Sequence, residues 1–315
     1  MPTKIARVIL FLLAFRLSAQ EGEFKAYFIG ADTSGEKLLE GASTLIISPS
    51  GTNMLIDGGD YRSRGGDIVL GWLKYLGIDH INYAIITHNH QDHYGGISNV
   101  MDRIPIDTLI AAPEVLPRKT ETFVRRWIEP GDTLWLSRCA YAVCYASGGK
   151  TLFGTPSQTL NENAKSIALV ISYDNFQMFV GGDLTGYNPN IESVIAPLIG
   201  DIELLSANHH GSTSSSNPFF LKTLSPEVIY ISRSAKVPVK SETLDRFLLF
   251  GDIFYPGQFR GTIPDGYINR HIIQGCGSVV LSVPFEGSNE FFLQTTNGKK
   301  FTYIVDEAKE GRQLP

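Results

Sequence analysis

The sequence predicts an α/β fold in which two β-sheets pack together with helices on the outside. Short apolar runs of strand character recur along the chain, and amphipathic helical segments lie between them. This grouping of strands with helices occurs twice over, which suits two sheets in a layered sandwich. A chain of 315 residues that is 43% hydrophobic has apolar surface enough for a substantial core.

The first residues carry Lys4 and Arg7, then an apolar run from Val8 to Phe15, then the small pair Ser18-Ala19. This reads as a signal peptide over residues 1–19, too short to span a bilayer, although Arg16 interrupts its apolar end. The expectation is a secreted or periplasmic protein with no membrane span after signal removal. Residues 20–250 form the main domain, and residues 251–315 a β-rich extension of the same domain.

Strands are expected at FKAYFI, STLIIS, NMLID, YAIIT, TLIAA, DTLWL, IALVIS, QMFVGG, ELLSA and VIYIS. The helical segment 66–77 places Ile68, Trp72 and Tyr75 on one side. Another helix follows the Gly95-Gly96 pair, and another follows Asp183. Asn217 and Pro218 form an N-cap and first helical position, and the segment KSETLDRFLLFG stops on a glycine. After residue 251 strands predominate, with an Asn297-Gly298 hairpin signal near the end.

Without residues 1–19, 24 basic residues face 32 acidic ones, a net charge of −8. Such a chain does not draw polyanions through its global field, so a nucleic-acid contact needs a local patch. Arg118-Lys119 with Arg125-Arg126, and the Lys236/Lys240 region, are the candidates; ordinary solvated charge is the plainer reading of each. Cys139 and Cys144 would stand about 16 Å apart in one extended strand, too far to bridge. Together with Cys276 they are expected as structural or free thiols.

The strongest chemical signal is AIITHNHQDHYGG. His88 and His90, two apart at a strand end, point the same way; Asp92 and His93 follow in the turn. Glycines then let the backbone turn into a helix. Four such N/O donors suit one or two divalent ions. Five of the seven histidines fall in this cluster and in the His209-His210 pair.

HNHQDH after an apolar strand resembles the HxHxDH signature of the metallo-β-lactamase superfamily. MLIDGG resembles its early strand, whose aspartate, here Asp57, supports the metal loop. QMFVGGD resembles the strand ending in the metal-bridging aspartate, here Asp183, and HHG supplies the last histidine. NENAKSIALVISYDNFQMFVGGD and the HHGSTSSSNP segment are similar to the hydrolase domain of ComEC-type competence proteins. The implied fold is a four-layer αββα metallo-β-lactamase-like sandwich with a C-terminal β extension. Two departures are visible. No histidine lies between His93 and His209, and Asn161, Glu162 or Asn163 occupies the neighbourhood of the third-motif histidine. The late Gly-His-Pro of ComEC-type domains is replaced by a stretch holding Lys236 and Pro238.

The resemblance implies two divalent metal ions, Zn or Mn, one of them held weakly. One site is built from Asp92, His93, Asp183 and His210 (or His209). The other uses His88, His90, shared Asp183 and an oxygen of the Asn161–Asn163 loop. Asn163 joins Asp57 behind the ligands. The implied activity is metal-dependent hydrolysis of a phosphodiester, extracellular DNA above all, by a metal-bound hydroxide. Asp92 orients it, and His209 either stands behind the ligands or contacts the substrate. Ser212, Thr213 and Ser214 are expected as a phosphate seat, or else as a capping turn. Lys236, Lys240, Arg62 and Arg64 are counter-charge candidates; Tyr94 and Tyr187 either line the cleft or pack in the core. A lactonase or β-lactamase-type hydrolase, and a metal-binding non-catalytic secreted protein, are the alternatives. No specific protein partner is expected.

Overall fold

A computed structural model describes residues 22–62, 64–112, 124–154, 161–234, 236–259 and 270–305. The expected signal peptide and the Arg118-Lys119 pair lie outside the described residues.

Strands are numbered along the chain. The first sheet holds β1 (Phe24–Phe28), β2 (Thr44–Ile47), β3 (Asn53–Ile56), β4 (Ile81–Ile86), β5 (Ile106–Ala111) and β6 (Val124–Trp127). It also holds β16 (Val279–Val283), β17 (Glu290–Thr295) and β18 (Lys300–Ile304), in the order β18-β17-β16-β1-β2-β3-β4-β5-β6. The second sheet holds β7 (Thr133–Trp135), β8 (Ala140–Ser147), β10 (Ala168–Tyr173), β11 (Phe176–Val180), β12 (Leu204–Ser206), β13 (Val228–Tyr230), β14 (Asp252–Tyr255) and β15 (Ile272–Gln274). Their order is β15-β14-β13-β12-β11-β10-β8-β7, with β9 (Lys150–Thr151) beside β8. The helices are α1 (Gly65–Tyr75), α2 (Gln91–Met101), α3 (Glu192–Ile199), α4 (Pro218–Leu224) and α5 (Ser241–Leu248).

Strand alternation makes the layers. Phe24 and Phe28 of β1 point inward and meet Tyr173 and Tyr230 of the second sheet, with ring centroids 5.5 and 4.8 Å apart. Tyr27, between them, points outward onto Trp72 of α1 at 5.7 Å. On the second sheet Phe254 packs inward on Phe301, whereas Ile229 and Ile253 join an outer cluster with Phe220, Leu244 and Phe247 of α4 and α5. The protein is thus a four-layer αββα sandwich.

Three local expectations need correction. Tyr75 does not share the buried face of α1: it is 71% exposed and only touches Trp72 edge-on. Helix α2 begins at Gln91, so Asp92 and His93 lie in its first turn rather than before it. Gly95 and Gly96 are then inside the helix, where they permit close backbone contact. A Cβ on Gly96 would fall 1.8 Å from the Gly58 carbonyl oxygen.

After residue 251 the chain supplies strands to both sheets, with β16 antiparallel to β1 and β14 parallel to β13. Asn297 and Gly298 form the β17–β18 turn, Gly298 at φ +87°. The three cysteines form no disulfide. Burial pushes the Cys144 thiol far up and that of Cys276 to about 12. Among the described residues, no helix is long and apolar enough to cross a membrane.

Candidate metal centre

The donors converge from strand ends, where a backbone leaving a sheet presents side chains into a shared crevice. Asp57 follows β3, His88 and His90 follow β4, Asp183 follows β11, His209 and His210 follow β12, and Ser232 follows β13. The turn after β12 holds two successive non-glycine residues in the left-handed region, His209 at φ 51° and His210 at φ 53°. That conformation is disfavoured for any residue with a Cβ and aims both imidazoles into the crevice. Asp57 is also left-handed, at φ 57°.

Two groups of ligand atoms result. In the first, Asp92, His93 and His210 each offer an atom within 4.8 Å of the others; in the second, His88, His90 and Asp183 do the same. Asp183 joins them. Its Oδ1 is 3.0 Å from His93 Nε2 and 3.7 Å from His210 Nε2, while Oδ2 is 3.6 Å from His88 Nε2.

Hydrogen bonds behind the ligands orient the rings. Asp57 Oδ2 accepts from His93 Nδ1 at 2.7 Å and from the Thr87 hydroxyl at 2.8 Å. The Thr87 proton being used there, its oxygen accepts from His88 Nδ1 at 3.2 Å. His210 Nδ1 meets Ser232 Oγ at 2.8 Å. His93 Nε2 and His210 Nε2 lie 3.3 Å apart, and His88 Nε2 lies 3.0 Å from His90 Nδ1. Asp183 Oδ1 is buried and accepts no hydrogen bond, with His93 Nε2 3.0 Å away. Imidazole nitrogens gathered around an orphaned carboxylate oxygen are what a cation would satisfy. The residues fit two divalent ions.

The electrostatics agree. Burial opposes ionisation of Asp92, but its hydrogen bond to His210 and the neighbouring His93 outweigh this and hold the carboxyl well below its ordinary range. Asp183 behaves likewise, burial being overcome by His93 and His210. Burial lowers His88 and His209. His93 alone is pushed up: burial pulls it down, but Asp183 and Asp57 prevail.

His209 points to the second group, its Nε2 3.7 Å from Asp183 Oδ2. Asn163 Nδ2 lies 3.3 Å from the same nitrogen, and Ser214 Oγ lies 3.0 Å from Nδ1. Glu162 accepts from the Asn89 amide at 3.1 Å and so braces the loop between His88 and His90.

The expected phosphate seat is corrected in one respect. Helix α4 has only seven residues, and the two amides that lead into it are already bonded. Ser216 N and Asn217 N donate to the Glu192 carboxylate at 2.6 and 2.9 Å. Ser212 Oγ meets Ser214 Oγ at 2.9 Å, so the hydroxyl run braces His209; Thr213 is half-buried beside it. Glu192 was not legible beforehand. It is fully buried, also accepts from Asn208 Nδ2 at 2.8 Å, and has its pKa raised by burial to about 7. A lone glutamate in an amphipathic segment gives no hint of partners 16 to 25 residues away.

Of the remaining candidates, Lys236 and Arg62 share a pocket with Asp92. Arg64 pairs with Asp67 at 2.7 Å, and Lys240 is exposed as the N-cap of α5. Arg126 lies 3.9 Å from Asp132. Tyr94 packs against the core, and Tyr187 is exposed.

Residues 38–216 match the family described as the metallo-beta-lactamase superfamily. The chain belongs to the metallo-beta-lactamase superfamily. Among curated proteins it is 25% identical over 209 residues to Recombination protein 2 of Haemophilus influenzae, covering 64% of this chain and 24% of that protein. It is 26% identical over 189 residues to Competence protein ComA of Neisseria gonorrhoeae, covering 58% of this chain and 24% of that one. The chain thus spans about a quarter of the length of these relatives. Among solved structures, the metallo-beta-lactamase fold protein YhfI of Bacillus subtilis is similar at a TM-score of 0.49 and 12% identity, covering 81% of this chain and 98% of YhfI. The superfamily is one of metal-dependent hydrolases, and the two donor groups are the candidate metal sites of this chain.

Proposed function

We propose that the protein is a metal-dependent phosphodiesterase that acts on nucleic acid outside the cytoplasm, using Zn or Mn. The observation that carries the reading is the pair of donor groups joined through Asp183. The similarity to competence and recombination proteins supports a nucleic-acid substrate. The basic residues Lys4 and Arg7, followed by the apolar run Val8 to Phe15 and the small pair Ser18-Ala19, support export.

Asp92, His93, His210 and Asp183 would hold the tighter ion; His88, His90 and the other oxygen of Asp183 would hold the weaker. Bound divalent ions acidify a water and stabilise charge developing on the substrate. The chain's own groups do the rest. Asp92, ionised at neutral pH and partly exposed, orients the attacking water through a carboxylate oxygen. His209, neutral at pH 7 and partly open to solvent, is placed to hydrogen-bond a substrate oxygen. Asp57 and Thr87 hold the His93 and His88 rings so that neither must reorganise during reaction.

The test incubates the protein with single-stranded DNA, bis-p-nitrophenyl phosphate, nitrocefin and a homoserine lactone, each with Zn or Mn. Cleavage of the two phosphodiesters is expected, and Asp92→Asn should lower it by about 100-fold or more. Turnover of lactone or lactam without phosphodiester cleavage would overturn the reading.

A further inference from the structure

Beside the metal centre lies a pocket of about 250 Å³ whose wall includes Asp92, Asp60, Arg62, Ser234 and Lys236. A second, open pocket of about 400 Å³ adjoins it, with Tyr61, Arg64, Asn99 and Arg103 in its wall. Arg62 lines both. Arg62 thus stands between the pocket that holds the candidate ligand Asp92 and the one that holds Tyr61.

The cations along it are not equivalent. Arg64 and Arg103 are both tied to Asp67, at 2.7 and 3.2 Å. Arg62 and Lys236 are exposed, and among the described residues their side chains form no ion pair or hydrogen bond. The carboxylates of the first pocket are already engaged: Glu40 by Arg233, Asp60 by the Arg62 amide at 2.6 Å, and Asp92 by His210. Tyr61 is 55% exposed, an aromatic ring left largely in water. The Gly65 amide donates to Asp60 O at 2.9 Å, and Gly95 of α2 packs against the Tyr61 backbone.

We propose that Lys236, Arg62 and Tyr61 form a track that holds a single-stranded nucleic acid on one side of the scissile phosphodiester. Lys236 and Arg62 take a flanking phosphate, and Tyr61 stacks a base beyond it. Free cations supply sequence-independent affinity for the backbone, and a base offers its face to an exposed ring. A small diester would reach neither the second pocket nor Tyr61. The track rests on the phosphodiesterase reading for its substrate class, yet binding judges it separately from turnover.

The experiment measures anisotropy of a short fluorescein-labelled single-stranded oligodeoxynucleotide with phosphorothioate linkages, which resist cleavage, and the metal-loaded full chain. Binding is titrated over a series of salt concentrations. Arg62→Ala and Lys236→Ala should each reduce the slope of log affinity against log salt by about 0.7. Tyr61→Ala should weaken binding by about tenfold with the slope unchanged. Lys222→Ala, an exposed cation on α4, should match the parent. Unchanged slopes in both cation variants, or unchanged affinity in Tyr61→Ala, would overturn the track. Hydrolysis of bis-p-nitrophenyl phosphate by the wild-type chain is scored in parallel. Its absence would refute the phosphodiesterase reading and leave the anisotropy result to decide the track.

Discussion

His93 is gripped from both sides, by the carboxylate of Asp57 on Nδ1 and by the metal-side donors around Nε2. The grip on Nδ1 selects the tautomer that ligates. Asp57→Asn should therefore weaken divalent-metal affinity by about 10- to 100-fold in a chelator-competition titration. An unchanged affinity would show that Asp57 is only structural. The HxHxDH donors were legible because neighbouring residues at a strand end share one crevice whatever the rest of the fold does. Asp57, Asp183 and His210 were assigned to the site only through resemblance, since spacing does not join His93 to residues 36 and 117 positions away. Glu192 shows the limit at this scale. The folded protein keeps a proton on this carboxyl up to about pH 7, whereas the unfolded chain releases it near 4.5. The unfolded state thus binds fewer protons across that window, and stability falls as pH rises through it. Compared with Glu192→Gln, the wild type should lose on the order of 3 kcal/mol between those pH values in urea unfolding. Parallel pH profiles would contradict the assignment.

Among the elements, α2 carries the greatest constraint. Its first turn holds Asp92 and His93, and its glycines let it lie against the loop after β3. The sequence reads the glycines as the turn into the helix and so misjudges where the helix starts, because His90 acts as the N-cap without a side-chain hydrogen bond. Gly96→Ala drives a Cβ into the Gly58 carbonyl, and Gly58 cannot yield without moving the Asp57 turn. The variant should lose about 2 kcal/mol or more and show a lowered Tm. A wild-type Tm would mean that the loop relaxes freely. Helix α4 was read well, with Asn217 capping Phe220 N and Pro218 at its first position. What could not be read was that Glu192 already uses the Ser216 and Asn217 amides just before the helix.

At the scale of the molecule, the strands of the extension are woven into both sheets, so β1 is flanked by β16 and β2. Period-2 patterning identified those strands, but pairing across more than 200 residues leaves no local trace in sequence. The fold closes around the crevice, and metal binding to the native state alone should raise stability. At 100-fold excess over the dissociation constant the gain is about 2.7 kcal/mol, visible as a Tm that falls on chelation. Equal Tm values with and without chelator would argue against a folded-state metal site. The most direct measurement is calorimetric titration of the metal-stripped chain with Zn or Mn. The account predicts two binding events of unequal affinity: His210→Ala removes the tighter, His90→Ala removes the weaker, and Asp183→Asn impairs both. A single event, or two that survive Asp183→Asn, would contradict it.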